Sequence, residues 1–100
     1  MKYDKLVRDN VPEHIKRKGE KAMMHIAGDK EYWQKLKEKL SEEIKEFYDS
    51  ESIEEMADIL EVIDAICEFK KFDGHELTAV KTKKAKEKGG FKKRIILDES

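Results

Sequence analysis

Residues 29–69 read DKEYWQKLKEKLSEEIKEFYDSESIEEMADILEVIDAICEF, and this stretch decides the fold. Its apolar residues recur every three or four positions, which is the spacing of amphipathic α-helices. The first half has a single stripe: Trp33, Leu36, Leu40, Ile44 and Phe47. The second half has a wider set: Ile53, Met56, Ile59, Leu60, Val62, Ile63, Ile66 and Cys67. The pattern predicts one helix from a cap at Asp29 to about Tyr48, and another from a cap at Ser52 to about Phe69.

The short connection between these helices, Asp49 to Glu51, predicts an antiparallel hairpin. The apolar set of the second helix is wider than one partner helix can cover. We therefore expect a second copy of the chain to cover the remainder. Two hairpins would then form a four-helix bundle in a homodimer, or in a higher homo-oligomer.

Shorter elements flank the hairpin. Asn10 is a suitable cap for a short helix that should end at Gly19. A last helix is predicted over about 75–88, where two glycines follow it. Residues 21–26 and 94–97 are candidates for a short two-stranded β ribbon. The expected fold class is therefore all-α, with the ribbon as a small addition.

The composition excludes several classes of protein. The chain has 100 residues, of which 45% are charged and 38% hydrophobic, and its formal net charge is -1. This near-neutral balance argues against a general nucleic-acid binder, and the absence of a long apolar run argues against a membrane protein. A single cysteine, Cys67, cannot form an intramolecular disulfide, which suits a reducing compartment. We expect one cytoplasmic domain over residues 1–100.

Four acidic side chains stand out by their positions on the two helices. Glu43 falls about 60° from the centre of the first apolar stripe, closer than a solvent-facing side chain should. Glu46 follows it one turn later, and Glu55 and Asp58 repeat the same spacing on the second helix. In an antiparallel hairpin these two pairs can face each other across the seam.

Ionised carboxylates at one seam repel each other. Two unit charges about 5 Å apart cost on the order of 3 kcal/mol at an effective dielectric constant of about 20. Protonation, neighbouring lysines or a bound cation would relieve this repulsion. Mg²⁺ prefers carboxylate oxygens and commonly bridges to phosphates, whereas the absence of His and Cys from the set argues against zinc.

A simpler interpretation remains open from the residues alone. In a chain with 23 acidic residues, most such pairs are solvated helix faces. Glu55 also matches a capping box that begins at Ser52, which would give it a purely structural role.

Three stretches resemble a known family. LSEEIKE at 40–46, followed by EEMAD at 54–58, resembles the EExxE…ExxD signature of the all-α nucleoside triphosphate pyrophosphohydrolases, which include MazG-like enzymes and phosphoribosyl-ATP pyrophosphohydrolase. YDKLVRDNVP at 3–12 resembles the KLVRDxIP opening of a small house-cleaning branch of that group. KAKEKGGF at 84–91 is similar to the KxxERGGF ending of the same branch. The motifs lie between residues 3 and 91, so the resemblance extends over nearly the whole chain.

The resemblance implies a metal-dependent hydrolase. Mg²⁺, or Mn²⁺ in its place, would be held by four acids: Glu43, Glu46, Glu55 and Asp58. A metal-activated water would attack a nucleoside triphosphate, either a standard or a noncanonical one, and release the monophosphate and pyrophosphate. Glu43 is the candidate catalytic base because it lies nearest the apolar stripe. The candidates for binding the substrate phosphates are Lys5, Arg8, Lys84 and Lys88.

Two alternatives to this function stay open. The first is hydrolysis of phosphoribosyl-ATP in histidine biosynthesis. The second is a non-catalytic nucleotide-binding module, such as a sensor, that keeps the acids but lacks turnover. All three functions share a nucleotide as the partner, with neither a nucleic acid nor a membrane.

Overall fold

The computed structural model describes residues 4–100, which form four helices: α1 (Val11–Arg17), α2 (Asp29–Ser50), α3 (Ile53–Phe69) and α4 (Gly74–Lys88). These residues contain no strand, so the predicted all-α class is confirmed. Residues 21–26 and 94–97 lie outside the helices, and their pairing as a β ribbon stays a prediction. Tyr3, at the start of the N-terminal motif, lies outside the described residues.

Helices α2 and α3 form the predicted hairpin, which is the only extensive helix–helix packing within residues 4–100. The turn is tighter than expected, because α2 continues to Ser50. Glu51 then adopts the left-handed conformation, with φ of 50°, and its N–H donates to the carbonyl of Phe47 at 2.7 Å. Ser52 caps α3 as predicted, since its Oγ accepts from the N–H of Glu55 at 3.3 Å.

The core of the hairpin is small. Leu36 and Val62 are its most buried apolar side chains, with 1% and 8% of their surface exposed. At the open end of the hairpin, the ring of Trp33 stacks on Phe69 with 5.8 Å between centroids, and Tyr32 meets Phe69 edge-on at 5.3 Å. Burial of each large apolar side chain contributes about 1.5–3 kcal/mol, so these few contacts hold the two helices together.

The helix ends differ from the sequence-based expectations at two places. Asn10 precedes α1, but its side chain makes no capping hydrogen bond. Its φ of -94° and ψ of 0° depart from the extended conformation that directs a cap side chain at the first helical N–H groups. Asp29 is the first residue of α2 rather than its cap, and Gly28 takes the cap position. Gly19, with φ of 81°, follows α1 as predicted.

The C-terminal third has a helix but no core. Every residue from 70 to 100 is exposed, and α4 packs extensively on no other helix of the described chain. Asp73 caps α4 by accepting from the N–H of His75 at 3.3 Å, and Gly89 ends the helix with φ of 83°. The chain is accordingly elongated, with extents of 57 × 31 × 23 Å.

None of the helices within residues 4–100 is both long enough and apolar enough to cross a bilayer.

Candidate metal centre

Three of the four predicted acids converge where α2 and α3 face each other. One carboxylate oxygen from each of Glu43, Glu55 and Asp58 lies within 4.8 Å of the others. Glu43 comes from the second half of α2, whereas Glu55 and Asp58 lie one turn apart near the start of α3. The tight turn between the helices brings these segments together, so the hairpin itself builds the cluster.

Glu43 is the third deeply buried residue of the hairpin, with only 6% of its surface exposed. Its Oε2 atom is buried without a hydrogen-bond partner among residues 4–100, and the same holds for Oε2 of Glu55. An unpartnered buried carboxylate oxygen is costly, because it has lost its water without a replacement. A bound cation would satisfy both oxygens at once.

The pKa values of two acids at the seam are raised because the carboxyl groups are crowded together and partly desolvated. The pKa of Glu55 is raised to about 7, first by loss of hydration and then by the adjacent carboxyl groups of Glu43 and Glu46. Loss of hydration also raises the pKa of Glu46, with the charge of Glu43 as the second cause. Glu46 and Glu55 therefore resist ionisation beside their neighbours.

Glu46 lies at the border of this cluster. It is more exposed than the other three acids, and it does not belong to the group whose oxygens converge within 4.8 Å. Its effect on the pKa of Glu55 shows that the two carboxyl groups are close. Its role as a fourth metal ligand stays a prediction.

The side chain of Glu55 does not form the capping box that the sequence allowed. The N–H of Ser52, which a capping box would offer to Glu55, donates instead to Oγ of Ser50 at 3.4 Å. The side chain of Glu55 turns to Glu43 and Asp58. The structural alternative to a metal site is therefore weaker for this residue than the sequence suggested.

Lys39 is a residue of the site that the sequence analysis missed. Its Nζ lies 3.3 Å from Oε1 of Glu43 and 3.6 Å from Oε1 of Glu42. The sequence does indicate this ion pair, because Lys39 and Glu43 are four residues apart on one helix, where opposite charges pair. It does not single out Lys39, because several other lysines of α2 also have an acid at similar spacing.

The N-terminal segment reaches the cluster through Arg8. Its guanidinium donates to Oδ1 of Asp58 at 2.7 Å, and this hydrogen bond raises the pKa of Arg8 above its usual value. Lys5 lies 3.4 Å from Oε1 of Glu42. The structure therefore brings two of the four predicted phosphate-binding residues near the acids, each of them paired with a carboxylate.

The other two predicted phosphate-binding residues, Lys84 and Lys88, lie on α4. Both are exposed, and within residues 4–100 neither forms an ion pair with an acid of the cluster. Since α4 packs extensively on no other helix within residues 4–100, the described part of the chain does not place these lysines at the acids. Their contact with substrate stays a prediction.

A shallow groove runs beside the cluster, between the N-terminal segment and α2. Its volume is about 820 Å³. Five basic and four acidic side chains line it: Lys5, Lys35, Lys37, Lys39, Lys45, Glu38, Glu42, Glu46 and Asp49. The groove approaches the candidate metal centre through Lys39, which contacts Glu43, and through Glu46, whereas none of the three converging acids lines it.

The donors present fit a hard divalent cation. The converging group consists of carboxylates alone, and oxygen ligands of this kind suit Mg²⁺ or Mn²⁺. Two buried oxygens are already without protein partners, so a cation would not have to displace a hydrogen bond to reach them. The set of donors therefore suits a hard divalent cation.

The chain was compared with protein-family models, curated proteins and solved structures, and none of them matches it.

Proposed function

We propose that the protein is a Mg²⁺-dependent nucleoside triphosphate pyrophosphohydrolase that acts at the seam of α2 and α3. The proposal rests on the EExxE…ExxD-like motif together with one observation. Glu43 is buried in the small core of the hairpin, and its Oε2 has no partner although two more acids converge on it. The unpartnered oxygen of a buried carboxylate destabilises so small a domain unless a ligand compensates the lost hydration.

Each side chain of the site has its own proposed role. Glu43, Glu55 and Asp58 would hold the metal, with Glu46 as the fourth ligand at its border. When bound, Mg²⁺ supplies charge for the polyphosphate and lowers the pKa of a coordinated water. Arg8 orients Asp58 through its 2.7 Å hydrogen bond. Glu43 remains our candidate for accepting the proton of the attacking water.

A nucleotide panel tests this function. The protein is incubated with normal and noncanonical nucleoside triphosphates and with phosphoribosyl-ATP, in Mg²⁺, in Mn²⁺ and in EDTA, and pyrophosphate is measured. We expect release that requires the metal and is abolished by EDTA. No release from any substrate would exclude the enzyme. Binding without turnover would favour the sensing module, and turnover of phosphoribosyl-ATP alone would favour the biosynthetic role.

We also propose that a second copy of the chain completes the fold. The single chain exposes 9698 Å², whereas a folded monomer of its 11.8 kDa mass should expose about 5,900 Å². The outer face of α3 carries apolar side chains at heptad-like spacing that the hairpin leaves exposed: Ile53, Met56, Leu60 and Ile63. Such a stripe suits pairing with a helix of a partner.

The oligomeric state is tested by sedimentation velocity. We expect a dimer or a larger assembly for the wild-type chain, and a shift to monomer for Leu60→Glu, which places a charge in the exposed stripe. A wild-type chain that sediments as a monomer at all concentrations would exclude the four-helix bundle. A cytoplasmic location remains part of this proposal.

A further inference from the structure

The buried acid Glu43 has two oxygens with different surroundings. Oε1 lies 3.3 Å from the ammonium of Lys39, whereas Oε2 is buried and has no hydrogen-bond partner among residues 4–100. Only 20% of the Lys39 side chain and 7% of the Glu43 side chain are exposed, so this contact is better shielded than any other ion pair within residues 4–100. One oxygen of the Glu43 carboxylate is thus paired with the ammonium of Lys39, while its second oxygen is left without a partner in the described chain.

We infer that Lys39 is the resident counter-ion of the candidate metal centre, that a divalent cation releases its ammonium, and that the released ammonium binds the phosphate chain of the substrate. This inference rests on the proposed function. It adds a residue outside the three recognised motifs and gives it two successive partners.

Electrostatics explains why the cation would release Lys39. The two oxygens of one carboxyl group share a single negative charge. A divalent ion at Oε2 of Glu43 therefore weakens the attraction of Oε1 for the ammonium and repels the ammonium directly. Arg8 is bound to Asp58 by a short hydrogen bond at a more exposed position, so it is less affected than Lys39.

The shape of the site explains where the ammonium would go. Lys39 lines the groove beside the N-terminal segment, together with Lys35 and Lys45. A lysine side chain carries its charge on a flexible stem with several rotatable bonds, so Nζ can leave Glu43 without any movement of α2. The groove begins beside Glu46, at the border of the acids. A polyphosphate bound to the metal would therefore extend into reach of Lys39.

The test uses Lys39→Met in the full chain, with two measurements that should change in opposite directions. Calorimetric titration with Mg²⁺ alone should show about tenfold tighter binding, because the competing cation is gone. Titration with inorganic pyrophosphate at saturating Mg²⁺ should show about tenfold weaker binding, because a charged hydrogen bond to phosphate is lost. A merely structural role would weaken both.

Lys35→Met is the matched control. Its side chain is also 20% exposed and lines the same groove, but it pairs with Asp4 and Glu38 rather than with the metal acids. Its Mg²⁺ affinity should equal that of the wild type. Lys39→Gln serves as a second variant if circular dichroism shows that Lys39→Met is unfolded. The gain in Mg²⁺ affinity should also vanish when Glu43→Gln is added.

The possible outcomes separate the inference from the proposed function. Unchanged or weaker Mg²⁺ binding by both Lys39 variants, with a wild type that binds Mg²⁺, would overturn the exchange and leave the proposed function standing. Tighter Mg²⁺ binding with unchanged pyrophosphate affinity would also overturn it. A wild-type chain that binds no Mg²⁺ would overturn the exchange and the proposed function together.

Discussion

The hairpin of α2 and α3 and the C-terminal third of the chain are both helical, but only the hairpin has a core. Leu36, Glu43 and Val62 are buried between its helices, whereas every residue from 70 to 100 is exposed. The hairpin already brings three acids within 4.8 Å, while the lysines of α4 have no contact that holds them in place. The three converging acids of the candidate site thus meet within one chain. The lysines of α4 could be fixed beside these acids only if α4 found a surface to pack against.

The largest effect should come from the buried acid of the hairpin. Glu43→Gln should lower turnover by about 100-fold or more, because loss of a direct ligand should exceed the roughly 10–100-fold cost of losing an outer-shell partner. The stability of the metal-free protein should stay the same or rise, since one of several repelling charges is removed. Pyrophosphate release and thermal unfolding in EDTA measure the two effects.

Glu54→Gln is the control for this variant, because Glu54 is an exposed neighbour of Glu55 outside the cluster. It should leave both turnover and stability unchanged. A sharp fall in the metal-free stability of Glu43→Gln would show that the ion pair of Glu43 with Lys39 stabilises the hairpin by more than the repulsion among the acids destabilises it.

The second effect tests whether the C-terminal third of the chain contributes to binding of the nucleotide. The double variant Lys84→Met/Lys88→Met should raise KM for the nucleotide about tenfold, since each charged hydrogen bond to phosphate contributes about 1.5–3 kcal/mol before solvent exposure reduces it. Its affinity for Mg²⁺ alone should not change. Lys92→Met/Lys93→Met removes the same charge outside the motif, and an equal rise in KM for both doubles would show only a general charge effect.

The third effect is a pH dependence of the metal-free hairpin. The pKa of Glu55 is about 7 in the folded chain, against 4.5 for an unperturbed glutamate. Between these values the folded state keeps a proton that the unfolded state has released, so stability is highest below pH 4.5 for this group and falls as pH rises through 7. Thermal unfolding in EDTA from pH 5 to pH 8 measures the fall.

Two further measurements test whether the carboxyl group of Glu55 causes this pH dependence. Glu55→Gln should reduce the fall, because the titrating group is gone. Saturating Mg²⁺ should also reduce it, because the bound cation stabilises the ionised carboxylates. A wild-type stability that rises over the same interval would contradict the crowding of acids at the seam.

The smallest effect compares the two well-formed caps. Ser52→Ala should lower the free energy of unfolding of the hairpin by about 1 kcal/mol, the usual cost of losing a cap. Asp73→Ala removes the cap of α4, where no residue is buried, so it should loosen α4 locally without changing the main unfolding transition. Urea unfolding and hydrogen exchange distinguish the two. Equal losses would show that α4 is packed against the hairpin in solution.

Much of the hairpin could be predicted from local patterns. The apolar stripes, the cap at Ser52 and the i, i+3 spacing of the acids all follow from the 3.6-residue helical repeat, which needs no knowledge of the rest of the chain. The same reasoning placed Glu43 beside the apolar stripe, and its burial confirms that position. The caps at Asn10 and Asp29 failed because capping depends on the backbone conformation just before the helix, which composition does not determine.

The sequence by itself therefore determined the all-α class, the two long helices and the face on which the acids lie. Only the tertiary structure decided which acids converge, that Glu46 stays at the border, and that Lys39 and Arg8 are their partners. The physical reason is that helical periodicity is a property of neighbouring residues. The meeting of two carboxylates depends on how α2 and α3 are rotated against each other, and contacts between distant parts of the chain set that rotation.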